Sequence, residues 1–240
     1  MEFGKFAAEL EAQGHHIIRL NLGEPDFGAP TAVMRALEAV AKSQPLPYTS
    51  ALGLPALREQ IANFYQTMHG IHLPANRIVV TAGASAALLL VTAALVDPGD
   101  EVLVGDPSYP CNRQFLKGFG ADVRLVPTDA ASRFQLDLGA VQRHWSSRTK
   151  GLMVATPSNP TGTSIAPDEL RRIHEVVRSH DGITIVDEIY LGLSYDTQYS
   201  QSCLTLGDDL ISINSFSKYF NMTGWRLGWL VVPEALVPVI

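Results

Sequence analysis

Seven short runs of apolar and β-branched residues punctuate the chain. They are Ile78–Thr81, Glu101–Val104, Asp122–Val126, Gly151–Ala155, Ile183–Asp187, Ile211–Asn214 and Leu227–Val232. Several are apolar nearly throughout instead of alternating, which is how a strand reads when both faces of its sheet are covered. Helical patterns separate many of them: Ser85–Val96, Tyr109–Gly118, Asp137–Trp145 and Pro167–His180. The last opens with Pro167 at the first helical position, and Asp168 and Glu169 complement the helix dipole. Strand–helix alternation predicts an α/β fold of three layers, with helices on both sides of a mostly parallel seven-stranded sheet.

The first seventy residues follow a different pattern. A helix is expected over about Phe3–Gln13, then a short strand over Ile17–Leu22, then a loop over Gly23–Pro30. Helical periodicity returns over Thr31–Ser43 and Leu54–His69, with a proline-rich stretch, Gln44–Tyr48, between them. At the other end, Pro233–Ile240 reads as the beginning of a new element and stops on apolar residues, as in a fragment or a natural truncation. No repeat or low-complexity stretch interrupts the chain.

Composition narrows the function. A chain of 240 residues, 46% hydrophobic and 18% charged, can bury a sizeable core. The net charge of -6, without a basic run or interleaved basic and aromatic residues, gives nucleic acid no footing. Cys111 and Cys203 are too few and too far apart for a disulfide framework and fit a reducing compartment. The seven histidines show no metal-ligand spacing. The longest apolar run, Ala86–Val96, is too short to span a bilayer, and no secretory signal pattern opens the chain. The expectation is a cytoplasmic protein without membrane or nucleic-acid partners.

The candidate chemistry falls where open α/β sheets bind ligands, at the carboxyl ends of strands. Ala84 and Ser85 open a helix after the first run; they read as a phosphate site or as a plain capped turn. Tyr109 follows the second run, as a ring that stacks on a flat cofactor or as a packed residue of a proline turn. Asn159, in a turn with Pro157, Pro160 and Gly162, is either a presented amide or part of a connection, and its bond to Pro160 is a candidate cis peptide. Asp187 ends a buried strand, and its carboxylate needs a partner: a protonated ring nitrogen, an ion pair or a helix cap. Lys218 lies between Ser215 and Arg226. Its amine suits condensation with an aldehyde, and Ser215 and Arg226 suit a phosphate; the plain alternative is a surface loop.

With these residues the chain resembles the class I/II aminotransferases among the fold-type-I pyridoxal-phosphate (PLP) enzymes. The resemblance runs from Leu22–Phe27 to Trp225–Trp229, and its most specific segments are Asn159–Gly162, Val186–Tyr190 and Ser215–Lys218. It implies that Lys218 carries the Schiff base to PLP, that Asp187 pairs with the ring nitrogen, and that Asn159 and Tyr190 contact the ring hydroxyl. Lys218, Asp187 and Tyr190 are then the catalytic residues. It further implies that Tyr109 stacks on the ring and that Ala84, Ser85, Ser215 and Arg226 hold the phosphate. Tyr48 matches a tyrosine that reaches the phosphate in the neighbouring subunit, which implies a homodimer. Gly23, with Asn159, matches substrate contacts. The implied domains are an N-terminal segment, residues 1–47, belonging to a small domain, and a PLP-binding large domain, residues 48–240.

Two departures from the family pattern stand out. Asn221 stands where glycine is common, and asparagine tolerates the left-handed conformation. The C-terminal small domain, which supplies the arginine for the substrate α-carboxylate, has no counterpart in these residues. The implied activity is transfer of an amino group between an L-amino acid and a 2-oxo acid. A PLP-dependent C–S lyase, or a catalytically incomplete PLP-binding fragment, is the alternative.

Overall fold

The computed structural model describes residues 2–20, 23–43 and 45–240. All seven expected strands form: β1 (Ile78–Thr81), β2 (Glu101–Asp106), β3 (Asp122–Pro127), β4 (Thr149–Ala155), β5 (Ile183–Asp187), β6 (Ile211–Ser215) and β7 (Gly228–Val231). They make one sheet in the order β1-β7-β6-β5-β4-β2-β3. β7 runs antiparallel to both β1 and β6, and the pairs from β6 to β3 are parallel. β1 therefore points the same way as β6, although it is joined to the sheet through the reversed strand.

The continuous apolar character of the strands has the expected cause. Leu103, Leu152, Val154, Val186, Trp229 and Val231 project into one core, and Val102, Val104, Met153, Ile185, Ile213 and Leu230 into the other. Successive side chains leave opposite faces of a strand, so two cores require apolar residues at consecutive positions. Three helices cover the first face: α3 (Pro55–His69) through Ile61 and Tyr65, α6 (Leu138–His144) through Val141, and α7 (Pro167–Ser179) through Leu170, Ile173 and Val177. The second face is covered by α4 (Ala84–Leu95) and α5 (Pro110–Gly118), through Ala87, Leu88, Val91 and Leu116. Each fully buried aliphatic side chain contributes about 1.5–3 kcal/mol over an exposed one.

The N-terminal segment behaves otherwise. The helices α1 (Glu2–Ala12) and α2 (Thr31–Ser43) form where expected, but neither buries a residue. The expected strand over Ile17–Leu22 does not form across residues 17–20, and Asn21 and Leu22 lie outside the described residues. Ile18 and Leu20 are 76% and 90% exposed. An apolar β-branched run becomes a strand only when a neighbouring strand takes its backbone hydrogen bonds, and residues 17–20 have no such neighbour here.

Candidate functional site

The topology brings the carboxyl ends of β1, β2, β4, β5 and β6 to one edge of the sheet, and β7 begins on that same edge. Register fixes the details: Gly228 pairs with Thr81 on one side and Ser215 on the other, and Ala155 pairs with Asp187. Gly228 is required there. A Cβ on it would stand 2.7 Å from the Gly83 carbonyl carbon and 2.9 Å from the Ala84 nitrogen. Its absence lets the start of α4 close onto the β6–β7 seam.

That start is an anion site in its chemistry. Gly83, the N-cap, has no side chain to bond the first-turn amides, so those of Ala84 and Ser85 have no acceptor within the helix. The Arg226 guanidinium lies against the same turn: a Cβ on Gly83 would approach Arg226 Nη2 to 2.6 Å. Arg226 itself has φ +52°, and its Nη1 donates to the Thr223 carbonyl at 2.9 Å. Cationic side chain and free helix amides thus converge.

Between β6 and β7 the chain is pinned by its own polar groups. The Ser215 hydroxyl is fully buried and contacts Ser217 Oγ at 2.8 Å and the Leu227 carbonyl at 3.0 Å, while it accepts from the Ser217 amide at 3.0 Å. Thr223 Oγ1 donates to the Ser217 carbonyl at 2.9 Å. Asn221 has φ +54°, so the residue replacing the common glycine does occupy the left-handed region. This frame presents Lys218. Its Nζ donates to the Gly23 carbonyl at 2.7 Å and lies 5.8 Å from the centroid of the Tyr190 ring. Partial burial pulls the amine below the usual lysine range; the Glu24 charge opposes this and the Arg226 charge adds to it.

Asp187 is 5% exposed, and its Oδ1 accepts the Ile189 amide at 3.0 Å. Burial pushes its carboxyl up to about 6; the Ile189 hydrogen bond opposes the rise and the Glu188 charge adds to it. No cation faces it among the described residues. Beside it the Tyr190 hydroxyl receives Asn159 Nδ2 at 3.4 Å, and burial raises the phenol while the Asp187 charge adds to the effect. Asn159 stands in a rigid turn: its bond to Pro160 is cis, as are Thr156–Pro157 and Asp106–Pro107. The Ser158 amide donates to the Thr163 carbonyl at 2.8 Å, and the Gly162 amide to the Ser158 carbonyl at 2.8 Å. Tyr109, the N-cap of α5, has its hydroxyl pushed up to about 12, first by the Cys111 thiol and then by burial, with the Ser85 hydroxyl opposing.

A buried carboxylate without a cation, a lysine amine of lowered basicity, and an arginine beside free helix amides fit PLP. Its protonated ring nitrogen, aldehyde and phosphate match these groups in turn. Residues 15–239 match the family model described as aminotransferase class I and II. The chain belongs to that family. Its members depend on pyridoxal phosphate.

Relatives in the family differ in their substrates. The chain is 40% identical over 231 residues to the valine–pyruvate aminotransferase of Mycobacterium tuberculosis, covering 96% of this chain and 59% of the relative. It is 34% identical over 226 residues to an arginine–pyruvate transaminase of Pseudomonas aeruginosa, covering 93% and 58%. Among solved structures, the aspartate aminotransferase of Thermus thermophilus with maleate superimposes with a TM-score of 0.94 at 31% identity, covering 98% of this chain and 62% of that one. An aminotransferase from Mycobacterium tuberculosis gives 0.92 at 39% identity, covering 98% and 61%. The chain thus spans roughly three-fifths of the length of these family members.

Of the residues singled out in the sequence, Ala84, Ser85, Tyr109, Asn159, Asp187, Tyr190, Ser215, Lys218 and Arg226 share the one sheet edge, and Gly23 joins them through Lys218. Tyr48 is fully exposed in the irregular stretch before α3. One contributor escaped the sequence reading. Gln135 is buried, and its Nε2 reaches the Ala155 carbonyl at 3.3 Å and the Thr163 carbonyl at 2.8 Å. It staples the two ends of the Asn159 turn from 20 and 28 residues away, a link without a local signature.

Proposed function

We propose that the chain is the cofactor-binding part of a PLP-dependent aminotransferase that moves an amino group between an L-amino acid and a 2-oxo acid. The observation that carries this reading is the buried, cation-free carboxylate of Asp187 on the same sheet edge as the Lys218 amine and the Arg226–α4 anion site. Bound PLP supplies an aldehyde for condensation with amines and a ring that accepts the electron pair left on the substrate Cα.

The residues divide the remaining work. Lys218 Nζ, with lowered basicity, would be the amine that holds the cofactor's aldehyde and, when free, would take the Cα proton and later return one. Asp187 would hold a proton on the ring nitrogen and so keep the ring able to accept electrons. The Tyr190 hydroxyl and Asn159 Nδ2 would bond the ring oxygen, and Tyr109 would hold the ring. Ala84, Ser85, Ser215 and Arg226 hold the phosphate, with the Ser215 hydroxyl also fixing the turn that leads to Lys218. Gly23 and Asn159 sit where the substrate carboxylate enters. Residues 1–47 belong with a small domain and residues 48–240 form the large one. Tyr48, exposed here, reaches the phosphate of a second copy in a homodimer. A cytoplasmic setting fits this chemistry.

The test is borohydride reduction of the chain with PLP, followed by mass mapping. An adduct on Lys218 that disappears in Lys218→Ala is expected. An adduct confined to another lysine overturns the assignment. Amino-acid-dependent release of a 2-oxo acid, rather than pyruvate and ammonia from a thioether amino acid, separates transamination from lyase chemistry.

A further inference from the structure

Asp187 and Glu188 are adjacent carboxylates, both deeply buried, and the reaction reading uses only the first. Consecutive side chains leave opposite faces of an extended strand. Ile185 and Ile213, which flank Asp187 in its layer, belong to the core under α4 and α5. Val186, paired in register with Ser212, faces the opposite core under α3. Glu188 thus lies behind Asp187, on the far side of the strand from the cofactor edge.

Glu188 is 1% exposed and fully engaged. Its carboxylate accepts from Ser202 Oγ at 2.9 Å, the Cys203 amide at 2.6 Å and Ser212 Oγ at 2.6 Å. Its amide donates to the Ile213 carbonyl at 2.8 Å, and its own carbonyl accepts from Leu191 at 2.8 Å. The titratable neighbours are Tyr65 of α3, Cys203 and Asp187; none is a cation. Trp229 Nε1, a donor only, contacts the Tyr65 hydroxyl at 3.1 Å. Burial raises the Glu188 carboxyl above the usual range, and the three donors that converge on it oppose that rise by favouring the charged form. A carboxylate spared for structure alone could be replaced by a neutral amide. One ringed by three donors and adjacent to a second carboxylate is built to carry a charge beside it.

We infer that Glu188 is a positioning residue that acts through Asp187: a fixed buried anion behind that carboxylate, it strengthens the grip of Asp187 on a cationic ring nitrogen. This rests on the reading of Asp187 as the partner of that nitrogen. Two of these bonds, from Ser202 and Cys203, also tie the 3-10 turn at residues 203–205 to the strand end, and the third, from Ser212, ties Glu188 to β6.

The experiment titrates the chain with 13C-carboxyl aspartate and glutamate in the cofactor-free state, and with ring-15N pyridoxal phosphate when loaded. In the parent protein Glu188 stays ionised from pH 6 to 8 while Asp187 titrates; a protonated Glu188 in that range overturns the inference without any variant. In Glu188→Gln, whose amide the two rotatable serine hydroxyls accommodate, the Asp187 and ring-nitrogen midpoints each fall by at least about one pH unit, a tenfold loss of proton affinity. Glu188→Asp, which keeps the charge, restores most of the shift. A ring-nitrogen midpoint unchanged in cofactor-bound Glu188→Gln overturns the inference. Asp187→Asn separates the two readings. If that variant moves the ring-nitrogen midpoint and Glu188→Gln does not, only the role of Glu188 fails. If neither moves it, the pairing of Asp187 with the ring fails as well.

Discussion

From α3 to β7 every helix and strand but β3's edge is tied into one of two cores, whereas α1 and α2 present equally amphipathic sequences and bury nothing. Both regions obey the same helical periodicity. They differ in whether another element lies opposite the apolar stripe. Amphipathic patterning specifies a helix and a face, but the free energy comes only from what that face meets. The large core therefore carries the stability of this chain, and the N-terminal helices carry little of it here.

Substitutions can break this contrast, and the largest effect belongs to the core. Trp229→Ala empties a fully buried ring that packs edge-on against Phe216 and bonds Tyr65. It is expected to cost about 3–5 kcal/mol in urea unfolding; a cost under 1 kcal/mol would show that the core is not where stability resides. Asp187→Asn acts in the opposite direction. The folded cofactor-free chain binds this proton more tightly than the unfolded chain does, so the contribution is favourable below pH 4 and is lost as pH rises through about 6. Removing the charge should stabilise the cofactor-free chain by about 3 kcal/mol at pH 8 and hardly at all at pH 4. Equal stabilisation at both pH values would refute the buried-charge argument.

Gly228→Ala forces a methyl against the Gly83 and Ala84 backbone and should cost about 1–3 kcal/mol. It should weaken PLP binding alongside stability, measured by cofactor titration, because it pushes α4 away from Arg226. Phe6→Ala and Leu20→Ala probe the other region. Both side chains are exposed, and each change should stay within about 0.5 kcal/mol. A loss above 2 kcal/mol at either position would mean that the N-terminal segment is held by packing after all.

What was legible in the sequence follows from range. The seven strands were readable because two-sided burial writes itself into consecutive residues, and Pro167 marks a helix start by local conformation. The strand expected at Ile17–Leu22 failed across residues 17–20 because strand formation is a property of a pair, and one partner's sequence does not disclose the other. Asn159, Asp187 and Lys218 could be recognised because each lies at or within a few residues of the end of a strand and the topology collects strand ends. Gln135 and Glu188 could not. Their hydrogen bonds reach residues 14 to 28 positions away, and nothing in the sequence distinguishes Glu188 from Asp187 as the carboxylate that receives three donors.

β7 has a consequence for how the molecule comes together. A parallel strand in its place would need a long crossover and would begin at the far edge of the sheet. Running backwards, it is reached by residues 216–227 alone, and its start lands beside the end of β6. The separation of Lys218 from Arg226 is therefore set by one short tether, not by the dimensions of the sheet. β1 hydrogen-bonds the sheet only through β7, so the hydrogen-bonded link between the strand that leads into α4 and the strand that leads to the lysine runs through β7. Affinity for the cofactor is accordingly a gauge of whether β7 is seated: a sheet with its other strands paired but β7 displaced would lack the seam that brings the phosphate groups together.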